Sequence, residues 1–597
     1  MSDTWSLNDI YTGFDAEALV ADFNKLSPMV DEMNKAAAAL ADFNDVEKLV
    51  RQLESYTALL DKIGSFASFS FSTDTSNTDA EKYLYQMDTL NAETSRTQVR
   101  LAAFLAKLSK TGDITELAEA QGIGEYAYQL NYMAQHYAHL MSEDEETLAA
   151  QMVNTGSGAW NMMQDKLISH LTCEYADPAK NGEVRRISIN ECRNLAYSPD
   201  YRVRKAAYEA ELAAYPQIEE ASAAALSAIK GEVNLLCRLR RFENPLDKTL
   251  FTSAMTPKTL GALIEAINKN APAFRDYMKA KAAYLAKKQG TEYTKGLPFY
   301  EMFAPVGESA GAAFDYDRAK QFVTDNFARF SPGMAKVAQD AFEKNWIDIY
   351  PRDGKVSGAF CGDIFAIKQF RILLNYGNSL SDAITLAHEL GHGYHSMQIM
   401  HEGILNTNYP MPLAETASTF CETIVTNAAL AEMKDDEKLQ LLENSLQDAT
   451  QVLLDIYSRF LFEQQVFEAR LDHPLSPEEL KGFMLEAQRA AYGDGLDPDL
   501  LHPYMWVIKP HYYSGSMSYY NFPYAFGHLL ANGLYQIYEK DPAAFGEKYD
   551  KFLRATGKMS IKDSCKMLGV DVEDAAFWNG AIDVIKKNID EFKRITL

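Results

Sequence analysis

The chain has 597 residues, 47% of them hydrophobic, with 33 Tyr, 31 Phe and a formal net charge of -25. Apolar and aromatic content at that level belongs to a folded globular protein and excludes long disordered stretches. The acidic balance argues against nucleic acid and anionic lipid as partners, because polyanion binding needs clustered Lys and Arg.

The start MSDTWSLNDIY has neither a basic n-region nor an apolar h-region, and no apolar run approaches the ~20 residues that span a bilayer. The expectation is a cytoplasmic chain with no membrane contact. Residues 27–70, 80–110, 144–166 and 198–240 carry apolar residues at three- and four-residue spacing, which predicts helices. A boundary near 195–200 separates an N-terminal helical lobe, 1–197, from a larger part, 198–597. Two later helices announce their starts with Thr256 before Pro257 and with Ser476 before Pro477, where Glu479 completes a capping box.

One stretch departs from the helical pattern. In GKVSGAFCGDIFAIKQFRILLNYGNSLSD, residues 354–382, Phe, Ile and Leu cluster between glycines and turn residues, and short strands are predicted around 358–361 and 370–376. The fold class is therefore mainly α with a small β element. No fixed-period repeat is present, which disfavours an α-solenoid. The six cysteines, Cys173, Cys192, Cys237, Cys361, Cys421 and Cys565, form no C-x-x-C pair and read as reduced, buried thiols.

Residues 385–395 read TLAHELGHGYH. Ser379 or Ser381 can cap a helix running through this segment to about Gly403, which puts His388 and His392 one turn apart on one face, able to reach a single metal ion. Glu389 between them is the residue a hydrolytic zinc site needs as a base and a structural metal site does not. Gly391 and Gly393 each cost about 1 kcal/mol relative to Ala inside a helix, and a close approach by another backbone would explain them.

A catalytic zinc takes three protein ligands plus water. The metzincin pattern would place Gly at 395 and His at 398, but this chain has His395 and Gln398. Downstream, MPLAETASTFCETI offers Glu415 and Glu422, seven residues apart on a helix that Pro412 can open. One carboxylate can bind zinc while the other supports a ligand histidine; Glu415 is read as the ligand and Glu422 as the support. Glu402 ends the first helix and points away.

A third cluster, HPYMWVIKPHYYSGSMSYYNFPYAFGHLL at 502–530, is rich in Tyr and His. Packing explains most of these residues, yet a zinc hydrolase needs donors for the oxyanion of its tetrahedral intermediate. His511, Tyr520 and Tyr524 are the candidates.

WSLNDIY, LLNYGNSLSDAITLAHELGHGYHS, LAETASTFCE and HYYSGSMSYYNFPYAFG together resemble oligoendopeptidase F, of the thimet oligopeptidase family of zinc metallopeptidases. The resemblance implies a helical ellipsoid of two lobes around a deep channel, with one zinc at its floor and a short sheet beside the active-site helix. The family's ligands map onto His388, His392 and Glu415, and its base onto Glu389. The spacing from His511 to the tyrosines differs from the thimet branch, which leaves the choice of oxyanion donor open.

The expected chemistry is hydrolysis of internal bonds in short unfolded peptides. Zinc lowers the pKa of its water from 15.7 toward ~7, and Glu389 takes the proton and delivers it to the leaving amine. The backbone of Gly358, Ala359, Phe360 and Cys361 could pair with an extended peptide as an added strand. A helical zinc carboxypeptidase or dipeptidyl carboxypeptidase could use the same ligands, and a catalytically inactive helical peptide-binding protein is the alternative outside enzymes. Nothing in the pattern specifies an oligomeric state.

Overall fold

The structure is a computed structural model and describes residues 3–307 and 314–597. It is 72% helical, with one two-stranded and one three-stranded sheet among the described residues. The mainly α expectation holds.

The chain forms two compact units. The first comprises Met1–Leu140, Gly311–Ala428 and Ile537–Val570, the second Met141–Ala310, Ala429–Gln536 and Asp571–Leu597. The boundary expected near 195–200 coincides with none of these crossings and falls inside the second unit.

In the first unit the predicted helical stretch 27–70 is two helices, Glu17–Ala38 and α1, Phe43–Thr73. They part at Asp42, whose carboxylate accepts from the backbone N–H of Asn44 and Asp45 and caps α1. The stretch 80–110 is likewise split, into Thr78–Glu93 and Ser95–Leu108. Apolar residues of α1 such as Val46, Leu49, Val50 and Ile63 are buried in one core with Trp5, Tyr11, Ile364 and Leu373. The last two belong to the sheet, so the N-terminal helices and the sheet exclude water together.

That sheet contains β1, Ile347–Asp348; β2, Phe360–Ile364; and β3, Gln369–Leu373, in the order β1-β3-β2. β3 pairs parallel with β1 and antiparallel with β2. Strands fall where they were expected, but β2 begins at Phe360 and β3 ends at Leu373. Gly358 precedes β2 with a φ of 84°, and its carbonyl accepts from Asn375 Nδ2 at 2.8 Å. On one face of β2 the missing side chain of Gly362 makes room for Phe69 of α1; a Cβ there would stand 2.6 Å from the ring. β2 is an edge strand of this sheet.

Two further helices concern function: α2, Leu380–Ile399, in the first unit, and α3, Thr416–Glu432, which belongs to the first unit up to Ala428. In the second unit the helix starts at Thr256 and at Ser476 are both present, the latter with its full capping box to Glu479. The stretch 198–240 folds as Tyr201–Ala214 and Glu219–Leu239, and 144–166 as Glu143–Thr155 and Ser157–His170. An antiparallel hairpin, Thr172–Asp177 with Glu183–Ser188, was not anticipated. Its turn contains Asn181 and Gly182, both at positive φ, an Asn-Gly signal that pattern reading could have used.

Candidate metal centre

The centre is assembled from local rules. Ser379 caps α2: its hydroxyl accepts from the Asp382 N–H at 3.1 Å, and Asp382 Oδ2 accepts from the Ser379 N–H at 2.9 Å. Nine residues on, His388 and His392 stand one turn apart with ring centroids 4.9 Å from each other. Glu415 occupies the joint between the short helix Met411–Ala414 and α3, at φ -92°, ψ 2°.

Three atoms converge there. His388 Nε2 and His392 Nε2 are 3.2 Å apart, and each lies 3.3 Å from Glu415 Oε2. On its other side His388 Nδ1 donates to Glu422 Oε1 at 3.1 Å. Burial works against a charged His388, but hydrogen bonds to Glu415 and Glu422 outweigh it and push its pKa up to about 10. Burial also works against the Glu415 carboxylate, and the two histidines more than reverse it, holding its pKa far below the usual range. The surroundings favour positive charge at this point.

Glu389 is 5% exposed, and its Oε2 has no hydrogen-bond partner among the described residues. Burial raises its pKa, the two histidines oppose that rise, and Glu415 and Glu422 add to it. β2 passes close by: the charge of Glu389 acts on the half-buried Cys361 thiol, whose pKa is raised chiefly by desolvation.

The two glycines have different partners. A Cβ on Gly391 would stand 2.7 Å from Ala417 O and 2.7 Å from Ser418 Cα, so the backbone of α3 does approach there. At Gly393 the neighbour is the Phe370 ring, 2.6 Å away, and not a backbone. Glu402 is turned aside to Lys558, at 2.6 Å.

Residues 194–584 match Peptidase family M3, and residues 108–172 match Oligopeptidase F. The chain belongs to peptidase family M3. Among curated proteins it is 23% identical to oligopeptidase PepF of Bacillus subtilis, covering 100% of this chain and 87% of that one. It is 25% identical to the plasmid oligoendopeptidase F of Lactococcus lactis subsp. cremoris, covering 99% and 97%. Its fold is that of the solved oligoendopeptidase-F from Enterococcus faecium, with a TM-score of 0.69 at 20% identity over 97% of this chain and 99% of that one. PZ peptidase A has a TM-score of 0.69 at 15% identity, covering 95% and 97%.

This M3 member is a metalloendopeptidase, and peptides are its substrates. The residues present fit a metal ion. Among the described residues His388, His392 and Glu415 are the one group whose ligand atoms converge in this way. Nitrogen or oxygen donors held tetrahedrally at ~2.0–2.1 Å from zinc stand about 3.3 Å from one another, close to the separations here. No helix among the described residues is long and apolar enough to cross a membrane.

His511, Tyr520 and Tyr524 belong to the second unit. They form a row: His511 stacks on Tyr520 at 5.3 Å between centroids, and Tyr520 meets Tyr524 edge-on at 5.8 Å. All three are half-buried, whereas Tyr512, Tyr513 and Tyr519 are fully packed. Burial, with Arg459 and Lys509 nearby, lowers the His511 pKa.

Two residues escaped pattern reading. Ser418 donates to Glu415 Oε2 at 2.8 Å; a serine three positions after a glutamate in a helix carries no signal by itself. Tyr409 stacks on the buried His395 at 4.2 Å, a contact between segments that no local spacing reveals.

Proposed function

We propose that this M3 peptidase is a zinc-dependent oligoendopeptidase that cuts internal bonds of short unfolded peptides, with His388, His392 and Glu415 holding one zinc ion and Glu389 acting as general base. The observation that carries the reading is the triangle of His388 Nε2, His392 Nε2 and Glu415 Oε2 beside a buried carboxylate oxygen, Glu389 Oε2, that has no hydrogen-bond partner among the described residues.

Zinc, when bound, supplies a Lewis acid for the scissile carbonyl and an acidified water. Glu389 takes the proton of the attacking water and returns it to the leaving nitrogen; its dry surroundings raise its basicity toward that task. Glu422 accepts the Nδ1 proton of His388, so Nε2 presents its lone pair to the ion. The outer edge of β2, at Phe360 and Cys361, accepts extended substrate as a further strand, and the Gly358 and Ala359 backbone leads into it. We assign oxyanion donation to the row His511, Tyr520 and Tyr524, on the chemistry of phenol and imidazole donors.

Strand pairing reads backbone and tolerates many side chains, but it requires an unfolded chain. An acetylated, amidated peptide of about ten residues, roughly 33 Å when extended, tests the reading by mass spectrometry of its digests, with casein and a stable globular protein alongside. Internal cleavage of the blocked peptide and sparing of the globular protein are expected. Rapid digestion of the globular protein, or stepwise trimming of only a free-ended twin, contradicts the oligoendopeptidase reading and favours the exopeptidase alternatives.

A further inference from the structure

Ser418 is fully buried in the first turn of α3. Its hydroxyl donates to Glu415 Oε2 at 2.8 Å, the same oxygen that stands 3.3 Å from both histidine nitrogens. The Glu415 side chain is 35% exposed, so packing alone does not hold it, and the terminal torsion of a glutamate is broad. Turned outward, the carboxylate would meet water. We propose that Ser418 is a positioning residue for the metal: its hydrogen bond fixes the Glu415 carboxylate so that Oε2 completes the three-donor set. The inference rests on the zinc reading above.

The competing acceptor for the same proton is the Glu415 carbonyl, at 3.0 Å. The carboxylate is nearer and charged, and hydrogen bonds to a charged group are about twice as strong as neutral ones. The position of Ser418 is set independently of that bond. Its Cα would lie 2.7 Å from a Cβ on Gly391, so the absent side chain seats this turn of α3 against the histidine helix. One turn further along α3, Glu422 accepts from His388 Nδ1 at 3.1 Å. The same face of one helix thus steadies Glu415 through Ser418 and His388 through Glu422.

The test uses the full chain and its Ser418→Ala and Ser418→Thr variants. Zinc affinity is read by competition with a chromophoric chelator, and melting temperature is read with and without zinc. Ser418→Ala should bind zinc about 10- to 100-fold more weakly, with a zinc-stripped melting temperature equal to the parent's and a smaller rise on loading. Ser418→Thr keeps the hydroxyl and should keep the affinity. If Ser418→Ala does not fold, Ser418→Gly removes the same hydroxyl and should show the same loss. Parent-like affinity in the folded hydroxyl-free variant, or equal weakening in Ser418→Thr, overturns the proposal. A parent chain that binds no zinc overturns the zinc reading itself, and the two failures are told apart by that control.

Discussion

Gly391 of α2 and Ser418 of α3 touch backbone to backbone: a Cβ on Gly391 would stand 2.7 Å from Ser418 Cα and 2.7 Å from Ala417 O. The helix that carries both histidines and the helix that follows Glu415 approach this closely only because one residue has no side chain. Gly391→Ala should force them apart, costing about 1–3 kcal/mol of stability as overpacking does and weakening zinc binding with it. Thermal unfolding and chelator competition check both effects. A variant with parent-like stability and affinity would show that the helices have slack here.

Glu389→Gln keeps the size of the side chain and removes its basicity. Because Glu389 stands outside the three-donor set, zinc content should stay at the parent level while turnover falls at least ~100-fold. Near-parental turnover would assign the base elsewhere.

The row in the second unit makes a kinetic prediction. Replacing His511, Tyr520 or Tyr524 singly by Phe should, for the residue that meets the oxyanion, lower kcat by about 10- to 1,000-fold with little change in KM. If all three variants keep full kcat, the row is packing, like Tyr512 and Tyr513 beside it.

Asp61 gives stability a pH dependence of defined sign. Burial and the neighbouring Asp363 push its pKa up to about 7 from 3.8, although its carboxylate accepts the Phe365 N–H at 2.9 Å. Between those two values the folded chain retains a proton that the unfolded chain has released, so this group's contribution to stability falls as pH rises from about 4 to 7. Asp61→Asn can still accept from Phe365 and cannot ionise. Relative to the parent it should gain melting temperature from pH 5 to pH 8. A constant difference over that range would place the Asp61 pKa near its ordinary value.

The signals that nominate the site in the sequence are local. His388, Glu389 and His392 were legible because a helix fixes their spacing within the motif, and Ser379 marks where that helix starts. Glu415 and Glu422 were legible as acids in an apolar helical segment. The Tyr-rich segment was half legible: composition nominated it, but only tertiary packing separates the buried Tyr512, Tyr513 and Tyr519 from the half-exposed His511, Tyr520 and Tyr524. Ser418 was invisible, since its meaning comes from the approach of α3 to Gly391. The partition into two units was invisible for a related reason: residues 3–140 and 314–428 belong to one unit although most of the chain between them belongs to the other, and no local composition encodes that return.

The central claim, a single catalytic zinc held by His388, His392 and Glu415, is tested most directly by the metal content of the purified chain, measured together with its peptidase activity before and after chelation. One zinc per chain at neutral pH is expected, with activity lost on stripping and restored by added zinc. Fewer than ~0.2 equivalents of zinc with activity intact would contradict it.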